Sequence, residues 1–192
     1  VTVPHKEKIY QYLENVSDEA SVIGAVNTIV NDGGKLFGYN TDVMGIMATL
    51  APYKDEIADS EVSVIGAGGA ARSVIYTLIQ NFKVGKINLI NRTVQRTETL
   101  RDFFSQKMHF ESFGTYELFP PDLTKTLSGS KLIINTTSIG MNPNADDSPT
   151  TIEESFNENQ IVFDVIYTPL KTKFLSIAES KGARTINGLT MF

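Results

Sequence analysis

The run Val64-Ile65-Gly66-Ala67-Gly68-Gly69-Ala70-Ala71-Arg72 holds the residue types with the most definite chemistry in this chain. An apolar segment, Val62 to Ile65, feeds a glycine turn, and an amphipathic segment, Arg72 to Ile79, follows at once. Strand, Gly-x-Gly turn and helix in that order are the context in which a glycine pattern binds a dinucleotide. Gly66 permits the tight turn, and Gly68 lets the backbone approach a pyrophosphate. The small residues from Gly69 to Ala71 let the helix start close to the strand. The helix N-terminus offers free N–H groups and a partial positive charge to phosphates. A glycine-rich turn without a ligand is the alternative at this point.

The next strand ends Leu89-Ile90-Asn91-Arg92-Thr93. An NAD site usually carries an Asp or Glu about 20 residues past the glycines, on the ribose 2′-OH. No carboxylate stands at this strand end; Arg92 and Arg96 stand there, with Thr93 between them. A carboxylate would repel a 2′-phosphate, whereas a guanidinium binds one bidentately. The pattern therefore favours NADP over NAD. Capping of the following helix is the other role open to Asn91-Arg92-Thr93, and the two are compatible. A third polar run, Asn135-Thr136-Thr137-Ser138-Ile139-Gly140-Met141, follows an apolar strand. It lies near the switch point of an open parallel sheet, where Thr136, Ser138 and their neighbours could line the nicotinamide ribose. The alternative is a polar loop without function.

Three further polar residues precede the glycine turn. Val1-Thr2-Val3 before Pro4 reads as a strand end, and Lys6 to Leu13 as a helix with Ile9 and Leu13 on one side. Lys6 is then at a strand-to-helix junction, where a side chain can face a cleft; a solvated surface lysine is the alternative. Ser21 to Asn31 reads as an apolar strand interrupted by Asn27, and a buried Asn must find hydrogen-bond partners. Asp32-Gly33-Gly34 then turns the chain into Lys35–Tyr39, which makes a hairpin. Asn40-Thr41-Asp42 precedes the helical run Val43 to Leu50. Capping is the ordinary role there, and a carboxylate gains from the helix dipole.

The elements that must position these groups alternate strand and helix. Strands are expected at Val62–Ile65, Lys86–Ile90, His109–Phe113, Leu132–Asn135, Ile161–Val165 and Thr185–Asn187. Helices are expected at Ala70–Asn81, Val94–Lys107 and Lys171–Lys181. That alternation predicts an α/β, Rossmann-like, doubly wound parallel sheet, with Ala51 to Ser60 as the connector leading into it. The 192 residues are 41% hydrophobic, enough for a core, and the net charge of −5 argues against nucleic-acid binding as the main task. Cys is absent, and neither His5 nor His109 has a second ligand at metal-binding spacing, so no metal is expected. No apolar run approaches the ~20 residues of a membrane span, and a soluble, cytoplasmic chain is the default. The chain opens on Val1, and both ends read as cut.

Taken together the motifs resemble the shikimate dehydrogenase family. The matches are Val1-Thr2-Val3-Pro4-His5-Lys6, Ile23-Gly24-Ala25-Val26-Asn27-Thr28, Gly38-Tyr39-Asn40-Thr41-Asp42 and Gly66-Ala67-Gly68-Gly69-Ala70. They continue with Asn91 to Arg96, Asn135 to Met141, Asp164-Val165-Ile166-Tyr167 and Asn187-Gly188-Leu189-Thr190-Met191, all in the family's order. The resemblance implies reduction of 3-dehydroshikimate to shikimate with NADPH, in aromatic amino-acid biosynthesis. It implies two domains around a cleft. Residues 1–50 would be part of a smaller α/β substrate domain and 51–188 the NADP-binding domain, with 189–192 starting a helix that returns to the first. Lys6 matches the family's catalytic lysine and Asp42 its partner. Thr2, Asn27 and Tyr167 match substrate ligands, alongside Lys6 and Asp42. Gly66 to Ala70, Asn91, Arg92, Thr93, Arg96, Thr136, Ser138, Val165, Gly188 and Met191 match the cofactor site. The family carries an N-terminal segment with a Ser-x-Ser motif and a C-terminal helix with a substrate-binding Gln, and neither is among these residues. The resemblance leaves open a quinate/shikimate enzyme with relaxed cofactor choice, a non-catalytic NADP-binding piece, and a monomer or a homodimer.

Overall fold

A computed structural model describes residues 1–118 and 123–191. Residues 119–122, inside the expected nucleotide domain, and Phe192, at the end of the expected returning helix, lie outside the described residues.

The first part of the chain builds a three-stranded sheet from β1 (Asn15–Val16), β2 (Thr28–Asp32) and β3 (Lys35–Tyr39), in the order β1-β3-β2. The expected hairpin is present: β2 and β3 pair antiparallel with Asp32 opposite Lys35, so Gly33-Gly34 form its loop at positive φ, as a two-residue hairpin turn requires. Two expectations fail here. Ser21–Ile23 belong to a helix, α1 (Asp18–Ile23), and Asn27 precedes β2 instead of interrupting a strand. Ser17 caps that helix by accepting from the Ala20 N–H, and Gly24 ends it at φ +70°. A complete pair of end signals thus outweighs the β-branched residues between them. Lys6–Leu13 is no α-helix but a 3₁₀ turn over Lys8–Tyr12, and Val1–Val3 is not a strand. The 3₁₀ segment has no side-chain cap and buries no residue, so nothing extends the turn.

α2 (Asp42–Leu50) runs on toward the second sheet, burying Val43, Ile46, Thr49 and Leu50; a short α3 (Lys54–Ile57) follows. The strands β4 (Glu61–Ile65), β5 (Lys86–Asn91), β6 (Phe113–Glu117), β7 (Leu132–Asn135), β8 (Ile161–Asp164) and β9 (Arg184–Ile186) form a six-stranded sheet. Its order is β6-β5-β4-β7-β8-β9 and every pair is parallel. This is the doubly wound topology expected, with the order reversing between β4 and β7. Alternate residues Val62, Val64, Ile87, Leu89, Ile134 and Phe163 pack toward α2, α4 (Gly69–Thr77) and α5 (Val94–Met108). Ile65, Ile90, Ile133 and Val162 pack toward α6 (Leu123–Ser128) and α7 (Lys173–Ser180). Both faces are covered, as a parallel sheet requires.

The edge strand differs from expectation. It is Phe113–Glu117, whereas His109 closes α5 at φ +54°. The residues from His109 to Ser112 are spent ending the helix. α4 gives way after Thr77 to a π turn, Leu78–Phe82, ended by Lys83 at φ +53°. Gly188–Met191 is a 3₁₀ turn packed against α2, whose Gly45 leaves the space taken by the Met191 carbonyl. No helix among the described residues is long and apolar enough to cross a membrane.

Candidate active site

Lys6, Asn27 and Asp42 come from three separate segments and meet. Asp42 is the first residue of α2, after Thr41 at its N-cap. Lys6 sits in the turn before the 3₁₀ segment, where its carbonyl accepts from the Val26 N–H at 2.8 Å. Lys6 Nζ donates to Asp42 Oδ2 at 2.5 Å, with the side chains only 14% and 11% exposed. The other carboxylate oxygen, Oδ1, accepts from Asn27 Nδ2 at 2.8 Å. Asn27 Oδ1 accepts in turn from the Thr41 N–H at 2.9 Å and from Thr28 Oγ1 at 2.9 Å. The carboxylate is therefore fixed at both oxygens, and the ammonium retains further N–H bonds to give. Lys6 also lies against the start of α4: a Cβ added at Gly69 would stand 2.8 Å from Lys6 Cβ.

The glycine turn has the shape a dinucleotide needs. Gly66 sits at φ +112°, and a side chain there would collide with the Thr136 hydroxyl. Gly68 begins α4 with no side-chain cap, and nothing lies within 4 Å of where its Cβ would be. Free N–H groups at the helix start thus face open space beside Ala67 and Ala70. Arg92, Thr93 and Arg96 are exposed at the end of β5 and the start of α5. Neither guanidinium has an acceptor among the described residues, which suits two cations kept for a ligand phosphate. Asn91 Nδ2 donates to the Thr93 carbonyl at 3.1 Å, while Thr93, at the N-cap, makes no side-chain cap. The capping role thus passes over Thr93. Arg96 and Ala67 share a cavity of about 110 Å³ with Glu7, Arg72, Thr99 and Leu100. The residues present fit NADP: an open glycine turn, unspent cations and no carboxylate at the end of β5.

The ends of β7 and β8 are tied by one carboxylate. Asp164 is fully buried and accepts from Asn135 Nδ2 at 3.1 Å, the Ile166 N–H at 3.1 Å and Thr172 Oγ1 at 2.7 Å. Burial pushes its acid up to about 6, against the three hydrogen bonds, which pull the other way. Asn135 Oδ1 holds Thr137 through its N–H and hydroxyl. This frame carries Thr136, whose hydroxyl donates to the Ile65 carbonyl at 2.7 Å, with exposed Ser138 beyond it. It also carries Val165, over which Gly188 closes, and exposed Tyr167. Met191 lies half-buried against α2. Thr2 is exposed, and its carbonyl accepts from the His5 N–H.

The structure thus gathers Lys6, Asn27 and Asp42 by direct bonds. Thr2 takes no part in the hydrogen bonds that join those three. Two residues to which the sequence assigns no site role support the site: Asn40, which accepts from the Asp42 N–H, and Ser73, which is bonded to Asn40. Arg72 donates to Glu7 Oε2 at 3.2 Å and to the Ile23 carbonyl at 3.3 Å, and stacks 4.5 Å from the Phe103 ring centre. A larger groove, about 600 Å³, runs between Lys8, Tyr10, Arg72 and Phe103 and touches none of Lys6, Asn27 and Asp42. Of the cations on its wall, Arg72 is paired with Glu7.

The family model of the shikimate dehydrogenase substrate binding domain matches residues 1–29, and that of the shikimate / quinate 5-dehydrogenase family matches residues 49–139. The shikimate dehydrogenase (NADP(+)) of Methanocaldococcus jannaschii is 41% identical over 191 residues, covering 100% of this chain and 66% of the relative. The chain therefore spans just under two thirds of the length of the curated relatives it matches. The shikimate 5-dehydrogenase of Listeria monocytogenes, solved with shikimate and NAD, superposes with a TM-score of 0.82 at 32% identity, covering 100% of this chain and 67% of its own. The Thermus thermophilus enzyme, solved with NADP(H) and shikimate, gives 0.80 at 34% identity, with 99% and 66% covered.

Proposed function

Because this chain belongs to the shikimate dehydrogenase family, we propose that the protein catalyses the reversible, NADPH-dependent reduction of 3-dehydroshikimate to shikimate in aromatic amino-acid biosynthesis. The observation that carries the reading is the Lys6–Asp42 pair, 2.5 Å apart, set against the start of the glycine-turn helix. Residues 1–50 form part of the substrate side and residues 51–188 the NADP side, with 189–192 leading back toward the first. The reaction belongs to the cytoplasm.

NADP(H), when bound, supplies or takes up the hydride. Gly66 to Ala70 would hold its pyrophosphate, and Asn91, Arg92, Thr93 and Arg96 its 2′-phosphate end. Thr136, Ser138, Val165, Gly188 and Met191 would line the nicotinamide side. On reduction, negative charge develops on the substrate carbonyl oxygen. The Lys6 ammonium stabilises that charge and donates the proton. Asp42 keeps Lys6 aimed, and Asn27 keeps Asp42 from turning. Thr2, Asn27, Asp42 and Tyr167 bind substrate hydroxyls and carboxylate. A site of such groups penalises an analogue that lacks a hydroxyl, because its polar atoms are then left unpaired.

The test is formation of NADPH from shikimate and NADP⁺ by the purified protein, with quinate plus NADP⁺ and shikimate plus NAD⁺ as controls. Turnover confined to shikimate with NADP⁺ is expected. Faster turnover of quinate would refute the substrate assignment, and equal use of NAD⁺ would refute the role of the arginines.

A further inference from the structure

The helix α4 touches the Lys6–Asp42 pair by two routes. The first is the close approach of Gly69 to the Lys6 stem. The second runs one turn later through two side chains with no role in the contacts proposed above. Ser73 Oγ lies 3.2 Å from Asn40 Oδ1 and 3.3 Å from the Gly69 carbonyl of its own helix, so its one proton is shared between these two acceptors; Ser73 and Asn40 are both buried. Asn40 Oδ1 also accepts from the Asp42 N–H at 3.2 Å, while Asn40 Nδ2 donates to the Ala25 carbonyl at 2.9 Å. The amide can face only one way: turned over, its NH₂ would meet the Asp42 N–H and its oxygen would meet the Ala25 carbonyl. Asn40 is thus gripped by the segment before β2, by the start of α2 and by α4. Ala25 and Val43 beside it are buried, so the side chain has nowhere to swing.

We propose that Asn40 and Ser73 are positioning residues that lock the backbone of Asp42 to α4, so that a dinucleotide phosphate held at the start of α4 and the Lys6–Asp42 pair are aligned as one unit. The proposal rests on the reading of Lys6 and Asp42 as the catalytic pair. A misplacement of about 1 Å at a reacting group can lower a rate on the order of 10²-fold, so a rigid tie between the two halves of the site has a direct effect on turnover. Such a tie is also reciprocal: a ligand that stiffens α4 stiffens Asp42 by the same free energy that shikimate at Asp42 returns to α4.

Two measurements test it. In amide hydrogen exchange of the wild-type protein, NADP⁺ is expected to slow Gly69–Arg72 and, with them, the Asp42 amide, whose exchange needs its bond to Asn40 broken. Protection at Gly69–Arg72 alone, or at neither segment, overturns the proposal. In Ser73→Ala, the Asp42 amide is expected to lose its response to NADP⁺ while Gly69–Arg72 keep theirs. Its kcat with shikimate and NADP⁺ should fall about threefold to tenfold, the range of one buried hydrogen bond, with KM for NADP⁺ within about twofold. Ser73→Thr, which keeps the hydroxyl, should restore the Asp42 response. A Ser73→Ala protein that merely melts earlier, with wild-type kcat and a wild-type Asp42 response, shows a structural role only and overturns the proposal. If the wild type couples the two segments yet does not turn over shikimate, the functional reading fails and the tie stands.

Discussion

At the scale of single residues, the proposed chemistry rests on one cation held in place by one anion. Lys6→Ala removes the ammonium held on Asp42 Oδ2, so kcat should fall on the order of 10²–10⁴-fold. Affinity for NADP⁺, measured by calorimetry on the same sample, should be unchanged. A kcat within threefold of wild type would remove Lys6 from the mechanism. Arg92 is exposed and has no acceptor among the described residues, so Arg92→Ala removes no bond seen among them. It should raise the KM for NADP⁺ about tenfold or more, the scale of a charge-assisted pair, and leave the KM for shikimate untouched. These residues are legible in the sequence because their types are spaced on motifs. Asn40 and Ser73 are not, because their roles are contacts between residues far apart in the chain. In the sequence Asn40 reads only as one of three polar residues before a helix. That Asp42 is bonded at both oxygens likewise depends on how β2 brings Asn27 to the head of α2.

At the scale of elements, α4 serves two sides at once. Its first residue must lack a side chain not for the sake of φ but for room. Gly69→Ala would improve helix propensity while driving a methyl to 2.8 Å from Lys6 Cβ. The expected outcome is a melting temperature within a few degrees of wild type with kcat lowered about tenfold or more, read from thermal unfolding and steady-state rates on one preparation. An unchanged rate would mean that Lys6 has slack to move. Five of the six parallel strands, all but β6, and α5 follow from apolar runs and glycine punctuation and are legible in the sequence. The elements misread are short ones whose ends decide them. α1 depends on Ser17 and Gly24 flanking a β-branched sequence, and the 3₁₀ turn near Lys8 fails to extend for want of a cap. β6 starts late because His109, not a glycine, takes the left-handed position that ends α5. Local propensity does not reveal which of two competing end signals prevails.

At the scale of the whole molecule, the buried Asp164 makes stability depend on pH. Its folded-state acid lies near 6 against an ordinary 3.8, so between those values the folded protein binds the extra proton. The contribution is fully present below about pH 4 and is lost as pH rises through 6, on the order of 3 kcal/mol in all. Asp164→Asn cannot titrate. The difference in unfolding free energy between wild type and variant, followed by urea titration from pH 4 to 7.5, should therefore fall steadily as pH rises through 6. A flat difference would mean that the carboxyl stays ionised throughout. Glu56 works in the opposite sense at the surface: held by Arg184 and Lys131, its acid is lowered to about 2, so its contribution is present above the ordinary 4.5 and lost as pH falls through 2.

The pairing of β4 with β7, which opens the crevice at the centre of the large sheet, has a kinetic consequence. Val62 finds its neighbour Leu132 only after two strands, β5 and β6, and three crossovers have intervened in the chain. A nascent chain that has emerged only as far as β6 therefore carries β4 with one edge unpaired. Closing so long a loop must precede any reward from the contact. Until β7 arrives, β4 offers an apolar edge to any other strand within reach, at the seam that would receive the nucleotide.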